Sequence, residues 1–383
     1  MRFSVKRLLA FSFISCLGSL VFGVSTHAET LPSPNDPLFP QQWDLRQIHA
    51  QEAWAVTTGT HSVTVAMIDS GVDFQHPDLA GIRVEDGWNF ITNTSDTTPM
   101  VGPDQDDDAM SHGTIMTSLL AAQGNNGIGM AGMAWNINVM PLVVLDMNGA
   151  GSVDHITAAI RYAVNHGAEI INISLVGFEP DDDMDRAIKE AADAGVLVVA
   201  AAGNTSGWKD GLDLDQQPMY PACSLAGSSA ILTVSATDPL DQKAPYANFG
   251  RTCVGISAPG HEMLGAHPFH GAARDASSTQ YIAGVTGTSA AVPLVSGTAA
   301  LIKSIRPDWG PAQIRARLMV TADPIDPVQK SDVRYKLGSG RLNAGRALQG
   351  LVAPRVSQGD GIQKLGLAAF SLLSRFHIFL PSL

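Results

Sequence analysis

Apolar runs of strand length alternate with longer amphipathic stretches along most of this chain. His61 to Ile68 is rich in β-branched residues and stops at Asp69-Ser70-Gly71. Ile137 to Leu145 is a second run, followed by the break Gly149-Ala150-Gly151 and a helical pattern from Val153 to His166. Glu169 to Leu175 and Val196 to Ala201 are two more, with a helical segment from Asp182 to Ala194 between them. Strands that alternate with helices of this length predict βαβ units on a parallel sheet. The runs are apolar almost throughout, not at every second position, which fits a sheet covered on both faces. The expected class is α/β, a doubly wound, mostly parallel sheet with helices on both faces.

Neither an internal repeat nor a linker divides the chain before about residue 350, so residues 29–350 read as one domain. The two ends differ from it. Arg2, Lys6 and Arg7 precede an apolar stretch from Leu8 to Val24, and Thr26-His27-Ala28 has the small-x-small form of a cleavage site. Residues 1–28 are therefore expected to be a secretory signal peptide. Leu365, Ala369, Leu372 and Phe376 recur at helical spacing in an apolar tail, residues 351–383, whose role stays open. A docking helix is the expectation for it and a membrane-associating tail the alternative.

Composition narrows the class of function. Hydrophobic residues are 45% and charged residues 16% of the 383, enough for a sizeable core and too apolar for a disordered chain. The 24 basic residues face 36 acidic ones, a net charge of −12, and no basic run follows the first few residues. Nucleic acid is excluded as an expected partner on that ground. Cys223 and Cys253 would reside in a compartment where disulfides persist. No zinc spacing or phosphate-cradling glycine motif is present.

Ligands of open α/β sheets gather beyond the carboxyl ends of the strands. Asp69 follows the first apolar run directly, and Asn204 follows Val196–Ala201 after Ala202-Gly203. His112, in Ser111-His112-Gly113-Thr114, stands just before the helical run Ile115 to Ala122. Ser289, in Gly287-Thr288-Ser289, stands just before Ala290 to Ile302. Acyl transfer needs a hydroxyl, an imidazole to take its proton, a carboxylate to orient that imidazole and donors for the oxyanion. All four residue types occur here, each at an element end. A helix N-terminus at Ser289 would favour developing negative charge, and the same field at His112 would keep the imidazole neutral.

The order Asp, His, Asn, Ser and the segments that carry it resemble the subtilisin family of serine proteases. The segments are Val65–Asp73, Ser111–Thr114, Ala201–Asn204 and Gly287–Pro293, and Gly338–Ala344 resembles that family's closing segment. The resemblance implies a secreted or periplasmic serine endopeptidase with Ser289 as nucleophile, His112 as general base, Asp69 as its orienting carboxylate and Asn204 as oxyanion donor. It implies protein or peptide substrates held between two edges, one at Gly149 and Gly151, the other at Ser174, Leu175 and Val176. Val176 stands where the family usually has glycine, which narrows a subsite. Ile115 and Ala290-Ala291-Val292 also depart from the family's usual residues, without removing a reacting atom.

Asn35-Asp36-Pro37 follows closely on Ala28, leaving no room for the folding segment many secreted relatives carry, and the start resembles the thermitase-like branch. That resemblance implies a structural calcium held by Asp36, Asp78 and Asn126, with carbonyls near Gln123, Ile128 and Met130; oxygen donors from loops are what this hard cation takes. A weaker second site would involve Asn89 and Asp96. A Cys223–Cys253 disulfide is expected, worth around 3 kcal/mol by chain entropy. The chain is expected to act as a monomer. Two other readings remain: a catalytically silent, calcium-stabilised binding protein, and a processing protease of narrow specificity.

Overall fold

The computed structural model describes residues 31–100, 108–205, 210–226, 228–268 and 280–351. The expected signal peptide, and the tail beyond Leu351, lie outside them. By its contacts the chain divides into Met1–Leu31 and Pro32–Leu383. The second unit holds every element described below.

Two short helices, α1 (Trp43–Gln47) and α2 (Ala50–Trp54), precede strand β1 (Thr64–Asp69), and two short strands follow, β2 (Arg83–Val84) and β3 (Trp88–Asn89). Helix α3 (Asp108–Ala121) then leads to β4 (Asn138–Val143), α4 (Val153–Asn165), β5 (Ile170–Ile173), α5 (Asp182–Asp193) and β6 (Leu197–Ala201). Strands β7 (Ile231–Thr237) and β8 (Val254–Pro259) complete the main sheet, and β9 (Met263–Ala266) pairs with β10 (Tyr281–Val285) in a hairpin. The chain continues through α6 (Thr288–Ile305), α7 (Pro311–Val320) and α8 (Ala344–Leu348).

The main sheet runs β2-β4-β1-β5-β6-β7-β8, with β3 also on β4, and every pairing in it is parallel. After β1 the chain lays β4 on one side and then crosses to lay β5 on the other. The order thus reverses around β1, where an open sheet leaves a crevice at its carboxyl edge. Successive side chains of β1 enter opposite cores. Val65 and Met67 join the cluster containing α3 and α6, whereas Ala66 and Ile68 join the one containing α4 and α5. Every residue of β1 and of β4 through β8 is buried, as expected of strands covered on both faces.

Helix α6 is long and apolar enough to cross a membrane, but most of it is buried against β5 to β8. It is the core helix of the domain. Helix α3 begins at Asp108, about two turns earlier than the apolar pattern indicates, so His112 lies within the helix and not ahead of it.

Candidate active site

Strand β1 ends at Asp69, whose carboxylate is only 1% exposed. Its Oδ1 accepts from the Ser70 backbone N–H at 2.8 Å. His112 places Nδ1 at 2.8 Å from Oδ1 and 3.0 Å from Oδ2, so Nδ1 carries the donated proton. The neutral ring then keeps Nε2 as its acceptor. Ser70 clamps the pair: its hydroxyl donates to the Met110 carbonyl at 3.2 Å and accepts from the Gly113 N–H at 3.0 Å. Gly113 is required there, since a Cβ would stand 2.2 Å from the Gly71 carbonyl oxygen.

Burial disfavours the charged imidazole, but the charge and hydrogen bond of Asp69 outweigh it and His112 is held above its ordinary value of 6.5. This corrects the expectation that a helix N-terminus depresses it. His112 sits a full turn inside α3, where the end field has faded, and the carboxylate decides the direction.

Ser289 occupies the first turn of α6, half-exposed. Its hydroxyl donates to the Ser174 carbonyl at 3.1 Å, and the Ser174 hydroxyl donates back to the Ser289 carbonyl at 3.1 Å. No hydrogen bond joins Ser289 to His112 among the described residues. Below Ser174 the polar chain continues into the core: Asn172 Nδ2 donates to Ser174 Oγ at 3.1 Å, and Ser296 Oγ donates to Asn172 Oδ1 at 2.9 Å.

Asn204 is exposed beyond β6. Its Oδ1 accepts from the Thr288 N–H at 2.9 Å, which directs Nδ2 away, and Nδ2 has no partner among the described residues. Thr288 in turn accepts from the Gly203 N–H at 3.0 Å. A point at the Cβ position of Gly287 stands 3.5 Å from Asn204 Nδ2 and 3.6 Å from the Ser289 backbone nitrogen. Two donors therefore border one small volume beside the Ser289 hydroxyl.

Each of the two expected edges has its own local hydrogen bonding. Asp146 Oδ1 accepts from the Asn148 and Ala150 N–H groups, closing a turn around Gly149, and these bonds hold its carboxyl below its ordinary value. Gly151 pairs with Leu145, and a Cβ on it would meet Leu145 at 2.8 Å. On the other side Gly177 and Tyr220 exchange hydrogen bonds of 2.7 and 2.8 Å. The backbone groups of Leu175 and Val176 join no backbone pairing among the described residues, leaving them open to an added strand.

Asp36, Asp78 and Asn126 also meet. Asn126 Nδ2 donates to Asp78 at 3.0 Å, and the Asn125 and Asn126 N–H groups approach Asp36 at 2.6 and 3.4 Å. Both aspartates are buried, and neither ion-pairs with a lysine or arginine among the described residues. Burial, with the Asp78 charge adding to it, raises the Asp36 carboxyl above its ordinary value. Tyr281, which the sequence reading did not single out, donates to Asp78 at 2.9 Å and ties β10 to this loop. No group of three or more His, Cys, Asp or Glu gathers among the described residues, so the acidic pair depends on amide and carbonyl oxygens to make up a ligand set.

Asn89 spends its side chain locally, its Oδ1 accepting from Ile91 and Thr92 and its Nδ2 donating to the Asp96 carbonyl. The Asp96 carboxylate turns to the Thr98 N–H. That pair closes a loop. Cys223 and Cys253 are joined as a disulfide, with Cα atoms 4.9 Å apart.

A carboxylate-held imidazole thus stands at the end of β1 and a half-exposed serine at the start of α6. The model for the subtilase family matches residues 60–346. Thermitase of Thermoactinomyces vulgaris is 34% identical over 318 residues, covering 83% of this chain and 99% of the relative. Subtilisin Savinase of Lederbergia lenta is 31% identical, over 80% of this chain and 97% of that one. Among solved structures, a protease of Pseudoalteromonas arctica matches with a TM-score of 0.69 at 27% identity, over 83% of this chain and 99% of that one. The chain belongs to the subtilase family and is a subtilisin-like serine endopeptidase.

Proposed function

We propose that the chain is a secreted endopeptidase that cuts peptide bonds through an acyl-enzyme on Ser289. What supports this reading is the hydrogen-bonded Asp69–His112 pair at the end of β1 together with the Ser289 hydroxyl and the Asn204 amide, unpartnered among the described residues, at the start of α6. With substrate present, rotation about χ1 turns the Ser289 hydroxyl from the Ser174 carbonyl towards His112 Nε2. Oγ attacks the scissile carbonyl carbon while Nε2 takes its proton, and Asp69 stabilises the imidazolium. The carbonyl oxygen, now anionic, lies between Asn204 Nδ2 and the Ser289 N–H. Collapse expels the amine, which leaves with the proton from His112. Water then attacks the ester, giving its proton to the same nitrogen, and the acid departs as Ser289 is reprotonated.

The substrate main chain pairs with the open Leu175–Val176 edge and the Gly149–Gly151 edge, which supplies affinity independent of sequence. Asp36, Asp78 and Asn126 would hold a calcium ion together with carbonyls of residues 123, 128 and 130. Its charge would offset two buried carboxylates that have no basic partner among the described residues. The basic start, apolar stretch and Thr26-His27-Ala28 support export, to the periplasm or beyond the cell.

The test is a fluorophosphonate probe. Wild-type protein is expected to become labelled and to lose peptidase activity, and Ser289→Ala to remain unlabelled and inert. Labelling of Ser289→Ala at the wild-type rate overturns the assignment. Absence of labelling in a folded wild type would favour a silent binding protein.

A further inference from the structure

The register of β5 and β6, Asn172 on Val199 and Ile173 on Ala200, carries forward to set Val176 opposite Gly203 beyond the strand ends. The crevice between these two extensions lies beside the proposed oxyanion donors. A peptide lying along the Leu175–Val176 edge, with its carbonyl carbon at Ser289 and its oxygen at Asn204, must direct the side chain of that same residue into this crevice. That crevice is occupied.

A Cβ built on Gly203 would stand 2.9 Å from Val176 Cγ2 and 3.1 Å from Met219 Sδ, so both side chains close on the glycine that precedes Asn204. Met219 is 4% exposed and packs with Ala202, Leu214, Cys223 and Val254, with Val176 lying against the same cluster. A methionine would ordinarily swing aside, being unbranched and soft. This one is held: buried Asn248 directs Nδ2 to Met219 Sδ at 3.1 Å and to the Ala202 carbonyl at 3.0 Å, while its Oδ1 accepts from Leu212. The Cys223–Cys253 bond anchors the same segment four residues on, where the Cys223 N–H donates to the Met219 carbonyl at 2.8 Å.

We propose that Val176 and Met219 are specificity-determining residues that fill the pocket for the side chain of the residue contributing the scissile carbonyl, and so restrict cleavage to bonds following glycine or alanine. This deepens the endopeptidase reading above and rests on it. Val176 closes the pocket from the substrate edge, and Met219, fixed by Asn248, closes it from below. Main-chain pairing remains intact, so the restriction falls on one side chain and not on peptide binding as a whole.

The experiment measures kcat/KM of the exported domain on tetrapeptide p-nitroanilides that differ only in the last residue: glycine, alanine, leucine or phenylalanine. The wild type is expected to favour alanine and glycine over leucine and phenylalanine by at least about tenfold, the scale on which an apolar pocket discriminates by size. Val176→Gly, and separately Met219→Ala, should each raise the leucine-to-alanine and phenylalanine-to-alanine ratios of kcat/KM about ten- to a hundredfold. Equal wild-type turnover of phenylalanine and alanine overturns the proposal, whether or not the variants fold. So does an unchanged ratio in variants whose melting and fluorophosphonate labelling match the wild type. Absence of any Ser289-dependent turnover is a separate result: it overturns the assigned reaction, and the pocket assignment with it.

Discussion

Ser296 donates its hydroxyl to Oδ1 of Asn172 at 2.9 Å, about two helical turns below Ser289 on α6. Both residues are fully buried, and the bond is the inner end of the chain that passes through Ser174 to the nucleophile. Ser296→Ala should leave the Asn172 oxygen without a donor in the core. The expected cost is about 1–3 kcal/mol, read from urea unfolding in a Ser289→Ala background that prevents self-digestion. An unchanged midpoint would show that the chain of hydroxyls adds nothing to stability.

Removal of the Asn204 amide should lower kcat and leave KM nearly as it was, because the bond forms only as charge develops. Asn204→Ala is expected to lose about 100- to 1,000-fold, a figure that belongs to subtilisin itself and is carried over. A loss confined to KM would place Asn204 in substrate binding instead.

Acid should switch the enzyme off. His112 must be neutral to accept a proton, and Asp69 holds its pKa above 6.5, so kcat/KM should fall as pH drops through a value above 6.5. Asp69→Asn removes the charge that raises it, so the acid limb of the residual activity should move to lower pH. A limb that stays in place would mean that another group titrates.

Chelation should lower the melting temperature of Ser289→Ala protein. A ligand bound only by the folded state at 100 times its Kd contributes about 2.7 kcal/mol. Asp36→Ala and Asp78→Ala should each abolish most of this response, since each removes one of the two buried carboxylates that meet at Asn126. Coincident melts with and without chelator in the parent protein count against a bound calcium.

Asp44 offers a test at a distance from the chemistry. It is 1% exposed, neither carboxylate oxygen has a well-formed hydrogen bond among the described residues, and burial pushes its pKa from 3.8 up to about 7. Arg46, nearby in sequence, gives its guanidinium to the Phe39 and Pro40 carbonyls. A raised folded-state pKa means stability that is fully present below 3.8, declines as pH rises and is gone above about 7. Asp44→Asn should therefore stabilise the domain by up to about 4 kcal/mol at pH 8 and by little at pH 4. A gain independent of pH would refute the linkage.

Asp69 and Asn204 were legible because each follows an apolar strand, where a parallel sheet presents its ligand-facing groups, and His112 and Ser289 because each precedes an apolar helical run. Strands β7 and β8 escaped notice for a physical reason. They carry Thr233, Ser235 and Ser257 inside the core, and these hydroxyls donate to the Ala222, Asn248 and Leu337 carbonyls at 2.6, 2.7 and 3.0 Å. Buried polar groups satisfied this way interrupt an apolar run without interrupting the strand. The Ser296–Asn172–Ser174 chain and the contacts of Met219 with Val176's neighbour Gly203 join residues far apart in sequence, and no spacing rule could have paired them. The start of α3 was misplaced because Ser111, His112, Gly113 and Thr114 are weak helix formers that interrupt the apolar pattern ahead of Ile115.

The order in which the sheet is laid down has a consequence for a chain made from its N-terminus. Asp69 closes the first long strand and His112 follows it soon after, but Ser289 arrives only once β5 to β8 have been synthesised, and its hydrogen-bonding partners wait on those strands. A ribosome therefore releases the carboxylate and the imidazole long before it releases anything they could activate. A protease that could attack its own unfinished length is given its reactive oxygen last.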